Sequence, residues 1–573
     1  MRHYFQTWLL ALCLLMGLAA CTAGENASDA VTPEATPEVQ SLERPNIVLI
    51  MFEDMSARIG AFGDPVATTP ILDAFAEESV LFPNTFTTAG ICAPSRSSLI
   101  TGVHQQALGT MHMRTRGYGS AAGGGPMDYD AVPAPDVKAF PEYLRGLGYH
   151  TSNNGKTDYQ IGEPFTIWDH NSLTEPQWWS GREDGQPFFA MINIYETHES
   201  FLWPTDREPR NPMEAAVQGR NAQIFAGRAP VTDPASVEVP PYLPDTPIVR
   251  ADIARQYDNI AFAERHVQAI MDRLEEDGLL DETIIILSTD HGDGLPRAKR
   301  SLYDSGLRVP MMVRFPDGRG AGTVNNAMIS FLDLAPTILE IAGSNALDHM
   351  AGSSLLPDLE TDRTYIRATL DRVDGFPERQ KAVRDERYKY IRTYATDQAY
   401  FQQVAFRNSL PTMEEIWRLK EASELTEAQA FYHQVPRPRD ELYDLEIDPH
   451  EVNNLAGDPD YAPVLQRLSS EMDRWIAEIG DLSALPETDM IARMWADMTQ
   501  PVTATPTLTM NVQGLIEISS ETEGASIGYR MTGDDIWQLY TGPFAKPDEV
   551  NGLEAKAQRY GFSESEVATL SLQ

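Results

Sequence analysis

Three apolar runs fix what this chain can fold into. Asn46–Phe52 (NIVLIMF), Phe188–Ile194 (FFAMINI) and Thr283–Ser288 (TIIILS) are continuous rather than alternating. That is the pattern of strands buried on both faces of a parallel sheet. Each run leads into polar residues: Glu53-Asp54 after the first, His198 shortly after the second, and Asp290-His291-Gly292-Asp293 after the third. Helical spacing lies between them, over Thr69–Glu78 (Ile71, Leu72, Phe75, Ala76) and as one long amphipathic stretch over Ala251–Asp277 (Ile253, Tyr257, Ile260, Ala261, Val267, Ile270, Leu274). Strands alternating with helices predict an α/β domain, a large mostly parallel sheet sandwiched by helices. Ligands of such sheets collect at the carboxyl ends of the strands, where these polar clusters fall.

At 573 residues the chain exceeds one domain. The catalytic α/β domain is expected over 45–370. A smaller α+β unit follows over 371–500, with a hairpin at Lys381–Arg384 and Tyr388–Arg392, and with Glu441–Leu445 and Asp448–Glu451 preceding a helix at Pro463–Ile479. The tail, 505–573, resembles the small β-sandwich appended to chitobiases, through stretches such as Gly524–Tyr529 and Leu539–Phe544. Residues 1–21 carry Arg2 and His3, an apolar run from Trp8 to Leu18, and the ending Leu18-Ala19-Ala20-Cys21, which together read as a cleaved secretory signal. The ending resembles a bacterial lipobox. It implies an exported lipoprotein of the periplasm and outer membrane, held by lipid on Cys21 and a flexible tether over 22–44 rich in Ala, Thr, Pro and Glu. A formal charge of −39 lacks the basic footprint that nucleic acid requires of a partner. Of three cysteines, Cys13 leaves with the signal and Cys21 carries lipid, so Cys92 stands alone in the folded body and no disulfide is expected.

Cys92 opens the segment Cys92-Ala93-Pro94-Ser95-Arg96-Ser97-Ser98-Leu99-Ile100-Thr101-Gly102. A cysteine at a helix start beside an arginine is either a reactive centre or a buried cysteine ahead of an ordinary helix. The segment fits Cys-x-Pro-x-Arg-x-x-Leu-x-Thr-Gly, which resembles the signature of the formylglycine-dependent sulfatases of the alkaline phosphatase superfamily. Thr197–Ser200, Asn154–Tyr159 and Gly292–Arg297 are similar to their bacterial heparan N-sulfatase-like branch, and the likeness spans roughly 45–480. The resemblance implies that Cys92 is oxidised to 3-oxoalanine (formylglycine) by a formylglycine-generating enzyme. Once hydrated, one hydroxyl attacks sulfur and the other expels sulfate, so no second attack on sulfur is needed.

By the same resemblance Ca²⁺, or Mg²⁺ or Mn²⁺, is held by Glu53, Asp54, Asp290 and His291. Arg96 braces these acids, Lys156 and Lys299 grip sulfate, and His198 serves the leaving oxygen. Three positions depart from the family: Glu53 stands where many relatives have Asp, His291 where many have Asn, and Asp158 where many have the histidine that drives sulfate elimination. Asp158 or His104 is expected to take that last role. His104, His112, Arg114 and Arg297 are candidates for the substrate pocket. The implied function is hydrolysis of a sulfate ester or sulfamate on a carbohydrate. The alternatives are phosphonate monoester or phosphodiester hydrolysis in the same superfamily, and an inactive glycan-binding lipoprotein.

Overall fold

The computed structural model describes residues 44–116, 124–547 and 551–572. The signal at 1–21 and all but the last residue of the tether lie outside the described residues. Asn46–Phe52 is the central strand of a nine-stranded sheet. Phe188–Ile194 pairs in parallel on one side of it and Thr283–Thr289 in parallel on the other. His150–Asn153 extends the parallel part beyond Phe188–Ile194. Arg308–Arg314 is antiparallel to both of its neighbours, Thr283–Thr289 and Val80–Phe86, which makes the sheet mostly rather than wholly parallel.

The continuous apolar runs are explained by their two faces. Ile47, Leu49 and Met51 pack into one layer with Leu99, Phe140 and Ile338. Val48, Ile50 and Phe52 pack into the other with Leu72, Val267 and Ile270. Neither face meets water, so alternation with polar residues would bury unpaired dipoles. Register does the rest. Phe52 lies opposite both Ile194 and Thr289, so the three strands run out together and the polar clusters beyond them share one edge.

One helical expectation is corrected. The pattern read as a single helix over 251–277 is two, Pro247–Ala263 and Arg265–Glu276. They meet at Glu264, whose carboxylate accepts from the free amides of Ile71 and Leu72 in the first turn of Pro70–Glu77. Periodicity carries across such a break, because Ile260 and Ala263 at the end of the first helix enter the same layer as Val267, Ile270 and Leu274 of the second, while Ile253 and Tyr257 pack into a separate cluster.

The second sheet is antiparallel, in the order Ile366–Val373, Phe376–Arg384, Tyr388–Thr393, Asp440–Asp444, and its first strand straddles residue 370. Helix Ala462–Ile479 covers it through Leu468, Met472 and Trp475. At the C-terminus a three-stranded and a four-stranded antiparallel sheet enclose Ile516, Ile518, Leu553 and Ala555. This module is bonded to the catalytic domain: Tyr560 donates to Glu142 (2.9 Å) and Gly561 N–H to the Ile161 carbonyl (2.9 Å).

Asp371 is buried in the second sheet, its Oδ2 without a hydrogen-bond partner among the described residues. Burial outweighs Lys381 and pushes its carboxyl up to about 6. A raised carboxyl stabilises the fold below its unfolded value near 3.8, and that contribution is lost as pH rises through about 6. Asp371→Asn is therefore expected to raise stability above pH 6 by up to about 3 kcal/mol and to change little below pH 4. Thermal melts of both proteins across this window test it; a pH-independent difference refutes it.

Candidate active site

Cys92 is the first residue of helix Cys92–Thr101, every residue of which is buried. Gly90 allows the approach that completes the site. A Cβ there would sit 2.2 Å from the Ser301 carbonyl oxygen, and its own carbonyl accepts from Arg300 N–H at 2.7 Å. The segment carrying Lys299 is thus drawn against the turn carrying Cys92. Residues 53–54, 198–199 and 290–291 reach the same place from the ends of the three central strands.

The Cys92 Sγ lies 3.4 Å from His291 Nε2, which is itself 3.1 Å from Asp54 Oδ1 and 3.7 Å from Asp290 Oδ1. Arg96 donates from Nε to Asp290 (3.0 Å) and from Nη1 to Asn193 (2.7 Å), and its Nη2 lies 3.9 Å from Glu53. Lys156 Nζ is 2.9 Å from Glu53 Oε2. Lys299 Nζ bonds both oxygens of Asp54 (2.9 and 2.7 Å) and lies 3.0 Å from Glu199. Arg300 completes the row with two 2.8 Å bonds to Glu199. Asp54 adopts φ +46°, a left-handed backbone that costs a non-glycine residue energy and is found at sites where placement matters.

The charges explain one another. Burial raises Asp54, but Lys299, His198 and His291 outweigh it and hold the carboxyl well below its usual range. Burial raises Glu53 despite Lys156 and Arg96. His291 would fall through burial, yet Asp290 and Asp54 push it up to about 10. Burial, with Lys299 next, pushes His198 down to about 3.

Do these residues fit a divalent cation? The ligand atoms of Asp54, Cys92, Asp290 and His291 all lie within 4.8 Å of one another, as do those of Glu53, Asp54 and His198. Glu53 Oε1 is buried without a hydrogen-bond partner among the described residues. Three carboxylates and an imidazole, with one carboxylate oxygen unengaged among the described residues, suit a hard or borderline dication.

Of the other residues named from sequence, Asp158 accepts two bonds from Arg114 (2.8 and 2.6 Å) and sits 3.6 Å from Lys156. Burial opposes it, but Arg114 and Lys156 hold its carboxyl far below the usual range. Arg114 lines the cavity over the site. His104, His112 and Arg297 do not, which corrects the expectation for them. His104 is a core side chain against Trp475, which donates to it at 3.3 Å, and burial pushes it down to about 3. That also removes it as the candidate for sulfate elimination. His112 Nδ1 accepts from Arg372 N–H (3.2 Å). Arg297 lies over Tyr303 (3.6 Å) and Tyr242 (4.2 Å) and donates to the Glu451 carbonyl (2.8 Å), tying the two domains together. Aromatic faces desolvate a guanidinium favourably, so a basic residue near a catalytic motif is drawn into the core.

Sequence reasoning missed Glu199, Arg300, Asn193 and Arg220. Glu199 had a signal, being next to His198. Arg220 had none, since it comes from the distant helix Pro212–Ile224.

A mostly parallel sheet that gathers a cysteine, three acids, an imidazole and two lysines at the ends of its strands defines a hydrolase of the alkaline phosphatase superfamily. The Sulfatase family model matches residues 45–344, and the model for the N-sulphoglucosamine sulphohydrolase C-terminal region matches 297–429. An ulvan-active sulfatase of Formosa agariphila is 40% identical over 560 residues, covering 94% of this chain and 93% of the relative. Human N-sulphoglucosamine sulphohydrolase is 28% identical over 488 residues, covering 76% and 90%. Among solved structures, one in complex with its substrate D-glucosamine-2-N,6-O-disulfate has a TM-score of 0.53 at 19% identity, covering 76% and 98%. A phosphonate monoester hydrolase from Silicibacter pomeroyi scores 0.52 at 17% identity, covering 83% and 99%, a likeness of fold alone. The chain belongs to the sulfatase family and is an enzyme that hydrolyses sulfate esters.

Proposed function

We propose that this sulfatase removes sulfate, as an O-sulfate ester or a sulfamate, from a sulfated carbohydrate, with residue 92 matured from cysteine to 3-oxoalanine by a formylglycine-generating enzyme. The observation that carries the reading is that Cys92 meets His291 while Lys156 and Lys299 stand beside the acids around it. Hydrated, the aldehyde supplies one hydroxyl to attack sulfur and a second to release sulfate. A divalent cation on Glu53, Asp54, Asp290 and His291, calcium first and magnesium or manganese after it, would polarise oxygens at residue 92 and offset the surrounding acids.

The chain's own residues do the remainder. Arg96 fixes Asp290 and the strand-end Asn193, so the acids hold their geometry. Lys156 and Lys299 place two ammoniums where an anionic ester must sit, and their attraction strengthens as charge moves onto the departing oxygen. His198 presents Nε2 to that oxygen. Asp158, clamped by Arg114 and beside Lys156, stays ionised and aims the lysine. A cavity of about 720 Å³ opens over these groups, walled further by Trp178, Arg220, His266, Asp374 and Phe406, with room for more than the sulfate. The named relatives act on ulvan and on N-sulphoglucosamine, which supports a carbohydrate substrate. The Leu-Ala-Ala-Cys ending supports export as a lipid-anchored protein of the periplasm and outer membrane.

The matured enzyme is expected to release sulfate from a panel of sulfated mono- and oligosaccharides, to lose at least about a hundredfold in rate after chelation, and to recover with calcium, magnesium or manganese. Preferred turnover of an aryl phosphodiester over every sulfate tested would replace this reading with the phosphonate and phosphodiester one.

A further inference from the structure

His198 is held from behind. The backbone N–H of Ser200 donates to its Nδ1 at 3.2 Å, and the Ser200 hydroxyl lies 2.9 Å from the same atom. A backbone N–H can only donate, so Nδ1 is an acceptor and the ring proton belongs on Nε2. That nitrogen faces the site, 4.0 Å from Glu53 Oε2. Behind the serine stands Arg220, whose guanidinium donates to the Ser200 hydroxyl at 2.8 Å while lying 3.8 Å from the centre of the Phe201 ring. The next residue on the same helix, Asn221, donates to the Ser200 carbonyl at 2.8 Å. Two successive residues of helix Pro212–Ile224 thus pin the turn that carries His198. With a lone pair of its oxygen engaged by Arg220, the serine hydroxyl is left to turn its proton toward Nδ1.

From this geometry we infer that Ser200 and Arg220 are positioning residues for the leaving-group step: they hold His198 as the Nε2–H tautomer aimed at the oxygen that departs with the carbohydrate. The inference rests on the proposed role of His198 and deepens it. Its chemistry makes a distinctive demand. A hydrogen bond to the departing oxygen matters in proportion to the charge that oxygen must carry. An alkoxide leaving from a sugar needs it, whereas a nitrophenolate, which spreads its charge over the ring, needs it far less. A purely structural defect would lower both rates alike.

The experiment measures kcat for a sugar sulfate and for 4-nitrophenyl sulfate in wild type, Ser200→Ala, Ser200→Thr, Arg220→Met and His198→Ala. Ser200→Ala and Arg220→Met are expected to lose about tenfold or more on the sugar sulfate and less than about threefold on the aryl sulfate, with Ser200→Thr recovering much of the loss because it restores the hydroxyl. Equal losses on both substrates, or none on the sugar sulfate, overturn the inference. His198→Ala separates the two levels. If it shows the leaving-group-dependent loss and the Ser200 and Arg220 variants do not, only the positioning role falls. If it shows no such dependence, the role proposed for His198 falls and takes this inference with it.

Discussion

Cys92→Ser is expected to fold normally and to lose at least about a thousandfold in turnover of any sulfate ester, while accumulating sulfate on residue 92. Serine matches the shape of the buried cysteine at the start of its helix, so the apolar cluster that includes Ile91, Ala93 and Leu302 is preserved and the melting temperature should hardly move. The loss is chemical. A hydroxyl beside His291, Lys156 and Lys299 can attack sulfur, but the resulting ester has no second hydroxyl on the same carbon to expel the sulfate. Intact-mass measurement after incubation with substrate reads the trapped adduct. In the wild type the same measurement reads maturation, since the aldehyde peptide is lighter than the thiol peptide. Near-normal steady-state turnover by the serine variant would remove the special chemistry assigned to residue 92, and with it the reason for the whole constellation.

Lys389→Met is expected to have the largest effect on stability, about 3–5 kcal/mol at neutral pH. Lys389 is fully buried in the second sheet, with its ammonium 2.7 Å from Glu451 and in contact with Asp304. Arg384 donates to Asp304 at 3.3 Å and would remain, but Arg297 lies 4.0 Å from Glu451, too far to replace Lys389 there. Burial favours protonation of Asp304, but Arg384 and Lys389 hold it below the usual carboxylate range. Burial raises Glu451 despite Lys389. Methionine would fill the space and leave two carboxylates with too little positive charge.

The sign with pH follows. Asp304, depressed in the folded state, contributes stability above its unfolded value near 3.8 that is lost as pH falls through its folded one. In the variant Glu451, already raised by burial and now deprived of Lys389, takes up a proton in mild acid while Asp304 keeps Arg384, so the deficit should shrink from pH 7 to pH 5. Urea unfolding at the two pH values checks this; a loss below about 1 kcal/mol, or one indifferent to pH, would mean that the triad contributes little. Because Asp304 follows closely on Lys299 and Arg300, partial unfolding of the second sheet should also lower activity.

These two sites mark where sequence reading succeeds and where it stops. Cys92 and its motif, the three buried strands and the acids at their ends follow from local order. A run apolar on both faces has to be interior, and residues that follow parallel strands have to share an edge. Lys389 shows no such mark, since its neighbours in the chain are those of an ordinary hairpin and its partners lie 85 positions before and 62 after it. His104 and Arg297 look catalytic in sequence because both sit near catalytic motifs, and folding gives one to Trp475 and the other to a set of tyrosines.

By itself, then, the sequence determined the mostly parallel sheet, its three buried strands and the family motif that begins at Cys92. Tertiary structure alone decided which charges pair, which basic groups are left to face an anion, and what holds His198 from behind. The reason is physical. Burial of apolar surface is written into consecutive residues and needs no particular partner, whereas a hydrogen bond or ion pair depends on distance and direction, and these exist only once segments far apart in the chain have been brought together.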